Sequence, residues 1–214
     1  MYQPGHGRFA VDDPAAELAR LVTVRPVTLV TLGAEGLRAS VLPMLFHADA
    51  GPHGALRGHL ARPNPQWRDL SPAVEALAIV DGPDAYVTPG WYETKRRTGR
   101  DVPTWNYVTV HAHGPLTIHD DPAWLEANVR GLSDRHEAAR AHPWSVDDAP
   151  RDYLDGQLRA IMGVELRVTR LEAKRKLSQN RVEEDFAGVV AGLGDGTPRD
   201  QAVAVEMAEE APRR

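Results

Sequence analysis

Two stretches of this 214-residue chain carry side chains suited to gripping an anion. The first is His59-Leu60-Ala61-Arg62-Pro63-Asn64-Pro65-Gln66-Trp67, a strand end running into a turn stiffened by prolines on either side of Asn64. A guanidinium there offers a two-pronged donor to a phosphate, and amides and backbone N–H groups can fill the remaining lone pairs. The same residues also suit a turn that caps itself. The second is Lys174–Arg181, three basic residues followed by Leu177-Ser178-Gln179-Asn180-Arg181. It fits a second contact to an anionic cofactor, or a nucleic-acid contact. It fits equally a solvated charge run in which Ser178 or Asn180 caps the next helix.

Other chemistry-bearing residues gather between Ala85 and Gly114. This segment holds Trp91, Trp105, Tyr86, Tyr92 and Tyr107, the basic set Lys95, Arg96, Arg97 and Arg100, and His111-Ala112-His113. The aromatic residues could stack on a planar ring, build a dimer interface or fill an ordinary core. His111 and His113 lie at i and i+2, so on a strand they share a face and could share a metal. No adjacent carboxylate or cysteine completes a ligand set, and no metal site is expected. A Ser-His-Asp arrangement with a nucleophile elbow, a glycine-rich dinucleotide fingerprint and a Gly-Lys-Ser phosphate loop are all missing from the sequence. Serine hydrolysis and nucleotide hydrolysis therefore lose weight. No residue is an evident general base; His111 and Tyr92 stand as hypotheses.

Strands and helices must position these groups. Val27–Leu32 and Leu37–Phe46 form a hairpin around Gly33-Ala34-Glu35-Gly36, with an edge or bulge at Pro43. Ala55–Ala61, Ala76–Val80, Ala85–Thr88, Asn106–Ala112, Leu116–His119 and Met162–Leu171 read as further strands, with turns at Asp81-Gly82-Pro83 and Lys174–Arg181. In Asn106–Ala112 the alternation sends Val108, Val110 and Ala112 to the core, and Tyr107, Thr109, His111 and His113 to the other face. Helices are expected over 15–22, 123–140, 150–161, 182–193 and 198–209, the first two helix starts marked by Asp-Asp-Pro. Strands first and helices second favours an antiparallel α+β barrel over a doubly wound sheet.

Bulk composition narrows the function classes. The net charge is −5 and the apolar content 42%. That is enough for a core and too acidic for a broad nucleic-acid footprint, although a local basic patch could bind. There is no cysteine, so disulfides and thiolate metal sites are excluded. No apolar run resembles a signal peptide or a membrane span, and a cytoplasmic location is expected.

Taken together, the segments resemble the PaiB family of FMN-binding split-barrel proteins, often described as negative transcriptional regulators. The resemblance rests on Met1-Tyr2-x-Pro4-x-His6, the Ala61–Trp67 run, Tyr86-Val-x-Pro-x-Trp-Tyr92 with Lys95, Val102–Tyr107, Val110-His-Ala-x-Gly114, Lys176–Arg181, and Gly188-Val189 with Gly192-Leu193. It spans residues 1–193, a flavin-binding domain, and leaves 194–214 as an acidic helical tail. It implies an α+β split β-barrel, mostly antiparallel, with C-terminal helices, forming a homodimer with FMN in a groove between the chains. Ser40, Val41 and Leu42 would line the isoalloxazine. His59, Leu60, Ala61, Arg62, Asn64 and Gln66 would hold the ribityl chain and phosphate. Lys176, Gln179, Asn180 and Arg181 would close the site, with Trp105, Asn106 and His111 as lesser candidates. The implied function is that of a flavin-dependent oxidoreductase or a redox-linked regulator. The alternatives are a PaiB-like regulator without catalysis, acting on DNA or a partner, and a haem-binding or haem-degrading protein. Haem and deazaflavin are the alternative cofactors.

Overall fold

A computed structural model describes residues 1–3, 7–71 and 73–210. Pro4 and His6 of the opening motif lie outside the described residues. The elements in order are α1 (Pro14–Val22), β1 (Val27–Gly33), β2 (Gly36–Leu42), β3 (Met44–His47), β4 (Ala55–Ala61), β5 (Ala76–Val87), α2 (Glu93–Thr98), β6 (Thr104–Gly114), β7 (Leu116–His119), α3 (Pro122–Glu137), α4 (Arg151–Arg159), β8 (Ile161–Arg167), β9 (Arg170–Lys176), α5 (Glu183–Gly194) and α6 (Pro198–Ala208). Five strands form one sheet in the order β2-β1-β5-β6-β9, and four form a second in the order β3-β4-β8-β7. The pairings β1–β2, β1–β5, β3–β4, β4–β8 and β7–β8 are all antiparallel. The chain divides into two compact units, each assembled from separated segments.

One unit comprises Asp13–Val80 and Val110–Glu172. Its β1–β2 hairpin closes with Gly33 opposite Gly36. Asp69 accepts from the Ala34 N–H at 2.8 Å and pins the turn. The expected strand Leu37–Phe46 is broken at Pro43, which has no N–H to offer a ladder; β2 and β3 go to different sheets. Helix α3 begins as its Asp-Asp-Pro signal predicts: Asp121 accepts from Trp124 N at 2.8 Å. Its buried residues are Leu125, Asn128 and Leu132. Leu125 joins Val146, Leu154 and Leu158 in an apolar cluster against which Trp124 packs. Trp124 also lies over β8 at Gly163, where a Cβ would come within 2.3 Å of the ring.

The other unit comprises Met1–Asp12, Asp81–Thr109 and Ala173–Arg214. Asp81-Gly82-Pro83, expected as a turn, lies inside β5. The carboxylate of Asp81 accepts from Thr109 Oγ1 at 2.8 Å, so a side chain that favours turns is satisfied across the sheet instead. The polar excursion after Pro89 contains a short helix, α2, tied to α5 by Asp185, which accepts from the Thr94 N–H at 2.9 Å. Glycines 188 and 192 form the face of α5 on which Trp91 sits; a Cβ at Gly188 would lie 2.2 Å from the Trp91 carbonyl oxygen. The segment from 194 onward carries α6, whose Val203 and Met207 are fully buried. Arg175 reaches that helix end, 2.8 Å from both Glu206 and Glu210.

The expected strand Met162–Leu171 is likewise two strands. The chain leaves β8 at Val168-Thr169, where Thr169 N donates to the His113 carbonyl at 2.8 Å. It re-enters as β9, so Lys174–Lys176, expected in a turn, are strand residues. Among the described residues no helix is long and apolar enough to cross a membrane.

Candidate functional site

Of the residues singled out by sequence, Ser40, Val41, Leu42, His59, Leu60, Ala61, Arg62, Asn64, Gln66 and His111 fall in the first unit. Trp105, Asn106, Lys176, Gln179, Asn180 and Arg181 fall in the second.

In the first unit, β4 is held between β3 and β8 and delivers Arg62 to the sheet edge. There four of the five guanidinium N–H groups are engaged and the charge is paired with Asp120. Nε donates to the Arg159 carbonyl at 2.6 Å, Nη2 to the Ile161 carbonyl at 3.2 Å, and Nη1 to Asp120 at 3.1 Å. Nη2 also donates to Asp120, completing a two-pronged pair. This hydrogen bonding holds the Asp120 carboxyl below the usual range and the Arg62 guanidinium above its own. Both line a cavity of about 310 Å³ with Pro122, Leu125, Asp155, Leu158 and Arg159, in which charged groups stand beside an apolar lining.

The turn beyond Arg62 bonds largely to itself and to the adjacent strands, although the buried Gln66 Oε1 has no hydrogen-bond partner among the described residues. Asn64 accepts from Gln66 N at 2.9 Å and donates to Ser40 Oγ at 2.9 Å. Gln66 is fully buried and donates to the Leu29 carbonyl at 3.0 Å and Thr31 Oγ1 at 3.1 Å. Trp67 Nε1 donates back to the Arg62 carbonyl at 2.9 Å. On β2, Val41 is exposed while Leu42 is buried, since neighbouring strand residues face opposite ways. Leu60 is buried beneath the sheet and Ala61 exposed at its end. His59 accepts from Asn128 at 3.3 Å, and burial pushes its pKa down. It faces a groove of about 280 Å³ together with His136 and Trp144.

In the second unit, the end of β9 and the start of β6 enclose a cavity of about 140 Å³ lined by Val102, Pro103, Thr104, Asn106, Lys176, Ser178, Asn180 and Arg181. Lys176 Nζ donates to Thr104 Oγ1 and to the Trp105 carbonyl. An ammonium has three N–H groups, so one remains for a ligand. Burial first, then the Lys174 and Arg181 cations, lower the Lys176 pKa. Ser178 turns the chain with φ +67°, a left-handed conformation that a non-glycine residue adopts at a cost. Its hydroxyl and the Asn106 amide bond each other at 3.0 Å, both buried. Gln179 is buried too and bonds only backbone, accepting from Leu177 N at 2.8 Å and donating to the Arg175 carbonyl at 2.7 Å. Arg181 lies 4.2 Å above the Tyr92 ring and donates to Asp101 at 2.6 Å. Asn180 is exposed at the rim. Trp105, 49% exposed, meets Tyr86, 47% exposed, edge to face at 6.2 Å.

The cradle around Lys176 fits the phosphate end of FMN: cationic, recessed, with amide and hydroxyl groups behind it and one ammonium proton to give. Its volume suits a phosphoryl group and not a whole flavin, since sites that enclose a drug-sized molecule run to about 300–1,000 Å³. Thr104 and Ser178 were missed by sequence reasoning, which had no means of pairing β6 with the turn after β9.

The sequence profile of the family described as "Putative FMN-binding domain" matches residues 1–170. The "Protease synthase and sporulation protein PAI 2" of Bacillus subtilis is 32% identical over 155 residues, 72% of each chain. An uncharacterized protein of Aspergillus fumigatus is 37% identical over 172 residues, 65% of this chain and 66% of that one. This chain thus spans about two thirds of the fungal relative's length. Among solved structures, the flavocytochrome Anf3 from Azotobacter vinelandii matches with a TM-score of 0.57 at 13% identity, over 87% of this chain and 78% of its own. The fold is the FMN-binding split barrel: mixed α and β, antiparallel sheets, C-terminal helices. The chain belongs to the FMN-binding domain family, as the resemblance to PaiB implied.

Proposed function

We propose that this protein binds FMN with its phosphate in the Lys176–Arg181 cradle, and that it works as a flavin-dependent oxidoreductase or redox-linked regulator. The observation that carries this reading is the small cavity in which Lys176 keeps an uncommitted N–H beside two other cations. A phosphate carrying about −2 charge offsets that clustering and takes the free donor. Asn180 at the rim and the Ser178–Asn106 pair behind it set the cavity's shape. Trp105 lies between two lining residues and, with Tyr86, offers exposed aromatic surface to the planar ring. Bound FMN supplies hydride and one-electron chemistry, and the chain's part is to bind and orient it. The Arg62 turn has a different role in this reading: its charge is paired with Asp120 and two backbone carbonyls take further donors, so it ties the end of β4 to the chain around Arg159–Ile161.

The name of the Bacillus subtilis relative refers to protease synthase and sporulation, and the regulatory alternative follows from the resemblance to PaiB. A net charge of −5, and cations such as Arg97 and Arg181 already paired with Glu184 and Asp101, speak against a wide DNA footprint. A homodimer is supported by edge strand β2, which exposes Leu37, Ala39 and Val41 along one face. Substituting Val41→Glu is expected to convert a dimer to a monomer in light scattering; a monomer before substitution refutes the dimer. The cofactor is tested by absorption spectra of the protein titrated with FMN and then haem. Saturable flavin bands are expected; a Soret band without flavin binding moves the function to haem.

A further inference from the structure

We infer that His111, His113 and Glu172 form a binding site for one divalent first-row transition-metal ion. The sequence supplies half of it, two imidazoles at i and i+2 on one face of β6. The fold supplies the rest by bringing Glu172 of β9 to that face. One ligand atom from each residue lies within 4.8 Å of the others. His113 Nε2 stands 3.2 Å from Glu172 Oε2. Donors on a tetrahedron with metal–ligand bonds of ~2.0–2.1 Å are ~3.3 Å apart, so this edge needs little adjustment. The two side chains are 18% and 22% exposed, recessed yet reachable.

The surroundings support the ligands as metal sites require. Arg170 Nη1 is 2.8 Å from Glu172 Oε2, an outer partner that orients the carboxylate. Thr169 donates to the His113 carbonyl through N at 2.8 Å and Oγ1 at 3.1 Å, pinning β6 beneath the imidazole. Ion entry replaces the His113–Glu172 hydrogen bond and leaves Arg170 on the carboxylate. All these residues lie in one compact unit. Two imidazoles and a carboxylate, without thiolate, select Zn²⁺, Co²⁺, Fe²⁺ or Mn²⁺ over Cu(I), Ca²⁺ and Mg²⁺. Three protein ligands leave a position for water or an exogenous anion, the arrangement of an open site. The inference stands apart from the flavin reading, since no residue is shared with the Lys176 cradle.

The test uses the full chain, stripped with a chelator and dialysed. Co²⁺ binding is followed by its visible d–d bands and Zn²⁺ binding by calorimetry. One equivalent per chain is expected. His113→Ala and Glu172→Gln should each weaken binding by more than the ~10–100-fold that losing an outer partner costs, and Arg170→Ala by an amount within that range. The exposed His53 serves as control, and His53→Ala should change nothing. Circular dichroism establishes that each variant is folded; if His113→Ala is not, the near-isosteric Glu172→Gln decides. Absent stoichiometric binding, or affinity unchanged in Glu172→Gln, overturns the site.

Discussion

Replacing Lys176 with Met removes one charge while keeping the length of the stem that packs between β6 and the turn after β9. Two of its three N–H groups already go to Thr104 Oγ1 and the Trp105 carbonyl. What a bound phosphate gains from this residue is therefore one charge-assisted hydrogen bond, about 1.5–3 kcal/mol. At 1.4 kcal/mol per decade, the FMN dissociation constant should rise about 10- to 150-fold. Riboflavin, which has no phosphate, should bind wild type and variant alike. Its pKa gives a second readout. Burial and neighbouring cations lower it from the ordinary 10.5. The protonated form is the one that holds phosphate, so FMN affinity falls as pH rises through the lowered value, short of 10.5. That alkaline decline should vanish in Lys176→Met. Fluorescence quenching of both flavins across pH measures all of this. Arg62→Met is the matched control: it should lower thermal stability and leave the FMN-to-riboflavin ratio unchanged. The reasoning is refuted if Lys176→Met weakens both flavins equally or neither, or if the phosphate preference is lost in Arg62→Met instead.

Two further perturbations probe packing and titration. Gly188→Ala raises helix propensity by about 0.8–1.0 kcal/mol. The new Cβ would nevertheless fall 2.2 Å from the Trp91 carbonyl oxygen. Overpacking costs about 1–3 kcal/mol, so urea denaturation should show no gain and a net loss where the clash is at the upper end; clear stabilisation would mean that Trp91 does not seat on α5. His59 has its pKa lowered by burial from 6.5, so the unfolded chain binds its proton more readily. Stability is full above about pH 6.5 and declines as pH falls below it. His59→Gln should flatten the urea midpoint between about pH 5 and 7, and an unchanged slope would assign the decline elsewhere.

What could be read from the sequence was what neighbours along the chain decide. The period-2 alternation of β6 put Val108, Val110 and Ala112 inside, and they are buried. Asp121 and Pro122 announced α3, and the cap is there. The misreadings share a cause in partners distant along the chain. Asp81-Gly82-Pro83 has turn composition, but Thr109 meets Asp81 across the sheet and the strand runs on. Lys174–Lys176 look like a solvated run, but pairing makes them strand. The carboxylate that joins His113 is 59 residues away, beyond any spacing rule.

The same distinction separates the two anion-binding stretches, which composition made look equivalent. A cation serves an anionic ligand best where the fold leaves it a donor and no carboxylate partner, and that depends on residues distant in sequence. Asp120, which the sequence offered merely as part of a helix start, takes the fork of Arg62 and neutralises its charge, and two backbone carbonyls take two more of its five N–H groups. Lys176 meets a hydroxyl and a carbonyl, which satisfy two protons and neutralise no charge. With Lys174 and Arg181 near it, its positive charge is crowded and, among the described residues, has no carboxylate partner of its own. Arg62 is thus the more conspicuous residue in the sequence, while the proposed reading makes Lys176 the anion ligand, an ordering that the FMN-to-riboflavin ratio measures directly.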